Sequence, residues 1–144
     1  MNNNNTLIVG SIGLDTIETV SDRKESILGG SATYATIAAG KSASVHLVGI
    51  IGDDFPINGM KILEEATVDL SNLDQKEGKT FIWGGRYAEN WDNRETLFTE
   101  LGVFNDFNPI LTDKNKEVPV IFLANIHPLL QLSVLNQCNK RKYV

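Results

Sequence analysis

Residues 28–56, LGGSATYATIAAGKSASVHLVGIIGDDFP, decide the fold. They read as a glycine turn, a small-residue helix, a short loop, a buried strand and an acidic turn. Gly29 and Gly30 lack a Cβ, so the backbone there can take left-handed angles or approach another group closely. Ser31 and Thr33 are candidate caps for the helix that follows, whose first amides point back over the glycines. Ala32, Ala35, Ala38 and Ala39, with Tyr34 and Ile37, make that helix narrow enough to pack closely on a sheet. Residues 45–51 form an apolar run broken only by His46 and Gly49, the pattern of a strand covered on both faces.

Working outward, residues 6–10 (TLIVG) read as a second buried strand, after a polar, frayed start at residues 2–5. Gly10-Ser11-Ile12-Gly13 is not a dinucleotide fingerprint, because the second glycine of G-x-G-x-x-G is missing and β-branched alternation, not a helix, follows at 16–20. Residues 21–26 read as a polar turn. Downstream, 57–66 carries Ile57, Met60, Ile62, Leu63 and Ala66 at helical spacing. Asp53 and Asp54 fit the start of that helix, where negative charge meets the positive dipole end, better than a metal site. Thr80 to Trp83 and residues 96–101 alternate as strands, with Gly84-Gly85 as a bulge between Trp83 and Arg86. Residues 104–109 are an aromatic loop and 113–117 a solvated charged segment. Residues 118–124 form another core strand, ending at Asn125, and 129–138 an amphipathic helix. Tyr143-Val144 reads as the first residues of a further strand. Alternating strands and helices specify an α/β layer fold with a largely parallel sheet.

The glycine pair, the helix ending in Ala-Gly-Lys and the strand ending in Gly52-Asp53-Asp54 resemble the first signature region of the ribokinase-like (PfkB-type) carbohydrate kinases. The GGSATY variant is similar to a bacterial sugar-kinase branch of that family. The resemblance runs from about Thr6 to the last residue and covers about the front half of a family member. It implies a partial three-layer sandwich with small β-lid strands, formed by residues 1–144 as the N-terminal, substrate-binding portion of the domain, the C-terminal half being absent. In such kinases the first strand ends in an acidic residue that accepts hydrogen bonds from sugar hydroxyls, and Asp15 falls there. The resemblance likewise implies Gly29, Gly30 and Tyr34 as substrate-binding residues, with Arg86, Tyr87 or Phe98 facing the same mouth, and Asn125 joins them because it ends a strand of an open α/β sheet, the usual ligand edge. Tyr34 stands where members often carry asparagine, and Gly13 replaces an asparagine of ribokinase itself. Both changes point away from ribose. Tyr34 is suited either to stacking on a ring, as of a nucleoside, or to filling the helix–sheet interface.

ATP and Mg²⁺ are implied for the full-length enzyme. The family's Gly-Ala-Gly-Asp segment, whose amides hold the transferred phosphoryl group and whose aspartate is the base, is absent from the 144 residues, as is its Asn-x-x-Glu element. The expectation is the substrate-binding part of an ATP-dependent kinase for a sugar or nucleoside-like alcohol, inactive by itself. The alternative is a non-catalytic binding module. Lid strands 16–20 and 96–101 are candidates for pairing in a homodimer.

Composition sets the outer limits. A chain of 144 residues forms one domain and buries roughly two-thirds of its unfolded surface. The formal net charge of −5 supplies no basic surplus for nucleic acid. The single Cys138 forbids an internal disulfide and fits a reducing compartment. The start lacks a basic n-region, and no stretch reaches membrane-spanning length, so a cytoplasmic protein is expected.

Overall fold

The computed structural model describes residues 4–144, so Asn2 and Asn3 of the polar start lie outside the described residues, while Asn5 opens the first strand. In chain order come strands Asn5–Val9 (β1), Gly13–Glu18 (β2) and Arg23–Gly29 (β3), helix Ser31–Ala39 (α1), strand Ser44–Gly52 (β4) and helix Ile57–Ala66 (α2). Strands Asp69–Lys76 (β5), Phe81–Tyr87 (β6) and Arg94–Glu100 (β7) follow, then a 3₁₀ turn Gly102–Asp106, helix Asp113–Lys116 (α3), strand Val120–Leu123 (β8) and helix Pro128–Gln137 (α4). No helix among the described residues is long and apolar enough to cross a membrane.

Two four-stranded sheets result. The main sheet, ordered β5-β4-β1-β8, is parallel throughout. Its strands send alternate side chains to opposite faces. Ile8, Val45, Leu47 and Ile51 pack with Ala32 of α1 and Leu63 of α2 on one side. Leu7, Val9, Val48, Ile50 and Ile121 pack with Phe107, Leu111 and Val134 on the other. This is the α/β layered arrangement expected from the alternation of elements. Full burial of a Leu or Ile such as Leu47 or Ile51 stabilises the fold by about 2–3 kcal/mol each.

The smaller sheet, ordered β3-β2-β6-β7, contains the lid strands. β2 pairs antiparallel with β3 and parallel with β6, and β6 pairs antiparallel with β7. The expected bulge appears as a register shift between Gly84 and Gly85. Leu14, Leu28 and Ile82 attach this sheet to the α1–α2 side of the core.

Several local expectations are corrected. The polar turn at 21–26 is shorter, because β3 begins at Arg23, where Arg23 pairs with Glu18 at 3.2 Å and Glu25 at 2.9 Å. β5 carries no clear apolar alternation because it is an edge strand of the main sheet, and its one buried side chain, Asn72, is polar. Asp54 does not face the α2 dipole; its carboxylate accepts from the Thr80 amide (2.8 Å) and hydroxyl (2.7 Å) and ties the end of β4 to the start of β6. Neither Ser31 nor Thr33 caps α1, which starts after Gly30 without a side-chain cap.

The charged segment 113–117 also differs from its solvated reading. Asn115 of α3 is fully buried, and its Oδ1 lies 2.7 Å from Nδ1 of the buried His46 on β4. Its Nδ2 donates to Asn72 Oδ1 at 2.9 Å, and Asn72 Nδ2 donates to the Ile110 carbonyl at 2.8 Å. Asn115 thus spends its donors on Asn72, so the His46 nitrogen must carry the proton it shares with Oδ1. Beside this network the Asp69 side chain, only 8% exposed, pairs with Lys114. Burial alone raises the Asp69 carboxyl, but hydrogen bonds from Lys114 and from the Ser71 hydroxyl and amide hold it well below the usual carboxylate range.

Two stability outcomes follow from this cluster. Asn115→Ala leaves the buried His46 Nδ1 without its partner, while Asn72 Oδ1 keeps the Thr112 amide at 2.9 Å, for an expected loss of about 1–3 kcal/mol in denaturant unfolding. A loss under about 0.5 kcal/mol, the range of an ordinary surface change, would contradict the network's role. Asp69 has a folded-state pKa below its unfolded value, so its contribution is fully present above about pH 4 and is lost as pH falls further. Melting temperature measured from pH 6 down to pH 2 should therefore fall less steeply for Asp69→Asn than for the parent chain; parallel curves would remove Asp69 as a source of acid sensitivity.

Candidate functional site

The carboxyl ends of parallel strands leave backbone and loop groups facing outward, the usual ligand edge of an α/β sheet. Here β1 runs into Gly10-Ser11 and β8 into Ala124-Asn125, and the two turns are joined by hydroxyl bonds. Ser11 Oγ lies 3.1 Å from Ser31 Oγ and accepts the Ser31 amide at 3.1 Å. Ser31 Oγ in turn accepts the Asn125 amide at 3.0 Å. Ser31 is therefore a link between three elements, a role its position at a helix start concealed.

Gly30 has φ +95°, and a Cβ there would meet the Ser11 carbonyl and lie 2.8 Å from Ile12 Cα. Only glycine combines that angle with that approach. Gly29, buried and paired with Gly13 across β2–β3, leaves the space that the Asp15 carboxylate occupies, since a Cβ there would overlap it.

The face of the smaller sheet that carries Asp15 and the open end of the main sheet enclose a cleft of about 630 Å³. Asp15, Gly30, Tyr34 and Asn125 all line it, so the structure brings together the expected residues, with Gly29 directly beneath Asp15. Tyr34 is 58% exposed, which removes the interface-filling alternative; its hydroxyl donates to the Leu28 carbonyl at 3.4 Å. The Asn125 side chain is exposed at the rim. Of the three mouth residues, Tyr87 lines the cleft, while Arg86 and Phe98 do not. Arg86 is engaged by Glu18 at 2.8 Å and Glu95 at 3.4 Å, and Phe98 covers Gly84.

An aromatic wall completes the cleft with residues that were not among the expected site residues. Phe81, Trp83 and Phe104 line the cleft opposite the glycine turn. Phe81 and Phe104 pack at 5.5 Å between ring centroids, and Arg94 lies 4.9 Å over the Trp83 ring. Phe104 comes from the 3₁₀ turn, far along the chain from Asp15, so no local pattern links them.

Electrostatically, Asp15 is the outlier. Burial pushes its carboxyl up from the ordinary aspartate value, and no hydrogen bond or cation among the described residues offsets it. A turn aspartate that bonds its own backbone would not be left in this state. His127 also lines the cleft, as the cap of α4. Among the described residues no group of His, Cys, Asp and Glu is placed to hold a metal ion, and no phosphate-binding helix start of the Gly-Ala-Gly-Asp kind occurs in the sequence.

No family model matches the chain. It is 29% identical over 138 residues to a cytidine kinase of Thermococcus kodakarensis, covering 94% of this chain and 49% of that protein. Among solved structures it is similar to the nucleoside kinase of Methanocaldococcus jannaschii, an archaeal member of the ribokinase family, with a TM-score of 0.74, 16% identity, and coverage of 96% of this chain and 50% of that one. A ribokinase of Cryptococcus neoformans var. grubii in complex with ADP gives a TM-score of 0.71 at 18% identity, with 96% and 48% covered. The chain spans about half the length of each of these proteins, and over that span it has the fold of the ribokinase family.

Proposed function

We propose that this chain forms the substrate-binding portion of a kinase that phosphorylates a hydroxyl group of a nucleoside or a related sugar. The observation that carries the reading is the Asp15 carboxylate: half-buried over Gly29, facing the cleft, and without a hydrogen-bond partner among the described residues. A carboxylate is acceptor-only, and two hydroxyls of a sugar can satisfy both its oxygens at once. Tyr34 and the Phe81–Phe104 wall supply flat apolar surface on which a base or sugar ring packs, and the Asn125 amide supplies a further donor and acceptor at the rim. The cytidine kinase and the nucleoside kinase that the chain resembles support a nucleoside, and the ribokinase of the same fold supports a simple sugar beside it.

The chain's own residues bind and orient the acceptor alcohol. The nucleotide and metal contribute the phosphoryl group and its charge neutralisation, with residues that are not among those described. The 144-residue polypeptide is therefore expected to bind cytidine or ribose without converting either in the presence of ATP and Mg²⁺. ATP-dependent phosphorylation by the purified chain would overturn that division of labour.

Asp15→Asn separates the ligand reading from a turn role. The folded pKa of Asp15 is raised, so its ionised form costs stability at neutral pH and that cost is relieved on acidification. The amide should therefore melt at the same or a higher temperature. Removing a hydrogen bond to a charged group costs about 1.5–3 kcal/mol, so calorimetric affinity should fall roughly tenfold to a hundredfold. Binding by the parent chain should itself weaken on acidification, beginning at a higher pH than for an unperturbed aspartate. Unchanged affinity with a lowered melting temperature would make Asp15 a structural residue.

A further inference from the structure

His127 closes the turn after β8 and caps α4, with Pro128 at the first helical position. Its Nδ1 accepts the Leu129 amide at 3.2 Å, one of the otherwise unpaired donors at a helix start. A neutral imidazole has one donor and one acceptor nitrogen, so an Nδ1 that accepts leaves the proton on Nε2. Nε2 has no partner among the described residues, and the ring lines the cleft that holds Asp15. The backbone carbonyl of His127 also accepts the Leu130 and Gln131 amides at 2.9 and 3.2 Å, and Gln131 Nε2 donates to the Ala124 carbonyl at 2.9 Å, which holds this turn from both sides.

We propose that His127 is a ligand-reading residue whose Nε2–H donates to an oxygen of the bound alcohol, with its capping bond selecting the donating tautomer. This inference rests on the nucleoside or sugar reading of the cleft and adds a polarity to it. Ionised Asp15 can only accept; His127 with Nδ1 committed to Leu129 can only donate. A hydroxyl-bearing ligand is then held with a hydroxyl hydrogen toward Asp15 and an oxygen lone pair toward His127. A protonated amine in place of that hydroxyl can satisfy Asp15 alone, and a deoxy analogue satisfies neither. Because the cap and the ligand contact use the two nitrogens of one ring, the orientation of the contact is set by the helix before any ligand arrives.

The test uses the folded 144-residue chain, with cytidine and ribose as probes in calorimetry and melting temperature recorded for each variant. His127→Asn keeps a good capping acceptor while withdrawing the ring N–H from the cleft. It is expected to keep the parent melting temperature and to bind cytidine about tenfold more weakly. His127→Ala should lose both the affinity and the cap. If His127→Asn binds as the parent does while Asp15→Asn is impaired, this inference fails and the cleft reading survives. If the parent binds neither probe, both fail. Long-range ¹H–¹⁵N spectra of the imidazole give an independent readout: a proton on Nε2 is expected, and one on Nδ1 overturns the proposal.

Discussion

Gly30 is the point where one strand of chain passes between the two sheets. Residues before it belong to β3 of the smaller sheet, and residues after it to α1, which covers the main sheet. The reversal is possible because Gly30 takes φ +95° directly against the backbone of Ser11 and Ile12. That contact places the start of α1 beside the end of β1, where Ser31 can bond both Ser11 and the Asn125 amide. It also sets Gly29 opposite Gly13, so that Asp15, two residues along β2, stands over a bare backbone. Fold and cleft share this single constraint.

Two aspartates show how environment divides structural from ligand-facing acids. Asp69 is held by Lys114 and Ser71, and its carboxyl is pulled down. Asp15 is removed from water with nothing in return, and its carboxyl is pushed up. The first stabilises the joint between β5 and α3. The second costs the protein some stability at neutral pH, which the hydroxyls of the proposed ligand would offset.

Much of this was legible in the sequence because its signals are local. The apolar run at 45–51, the helical spacing at 57–66 and the glycine pair each announce an element through neighbours in the chain. α2 matches its expected bounds, Ile57–Ala66. Asp15, Gly29, Gly30 and Tyr34 were singled out through a family resemblance and Asn125 by its place at the end of a strand, and four of the five meet at one cleft with Gly29 beneath it. What escaped depends on distant partners. Asn115 looks solvated among charged neighbours until His46 and Asn72 enclose it. Asp54 looks like a helix-end charge until Thr80 arrives. Phe104 becomes part of the cleft only through its packing on Phe81. Polar edge strand β5 had no apolar alternation to betray it.

The main sheet's strand order also governs how the protein can be made. β1 leaves the ribosome before either of its partners, for it is an inner strand whose two neighbours are β4 and β8, with Thr6 paired to Val45 on one side and Val120 on the other. At roughly 5–20 residues per second, synthesis separates β1 from β8 by on the order of ten seconds. During that interval β1 and β4 can pair, but the β8 side of β1 stays open, with its amides and carbonyls unpaired. Parallel pairing across such a span is slow in itself. The nascent protein therefore passes through a stage with an exposed, apolar strand edge, the kind of surface through which incomplete sheets aggregate.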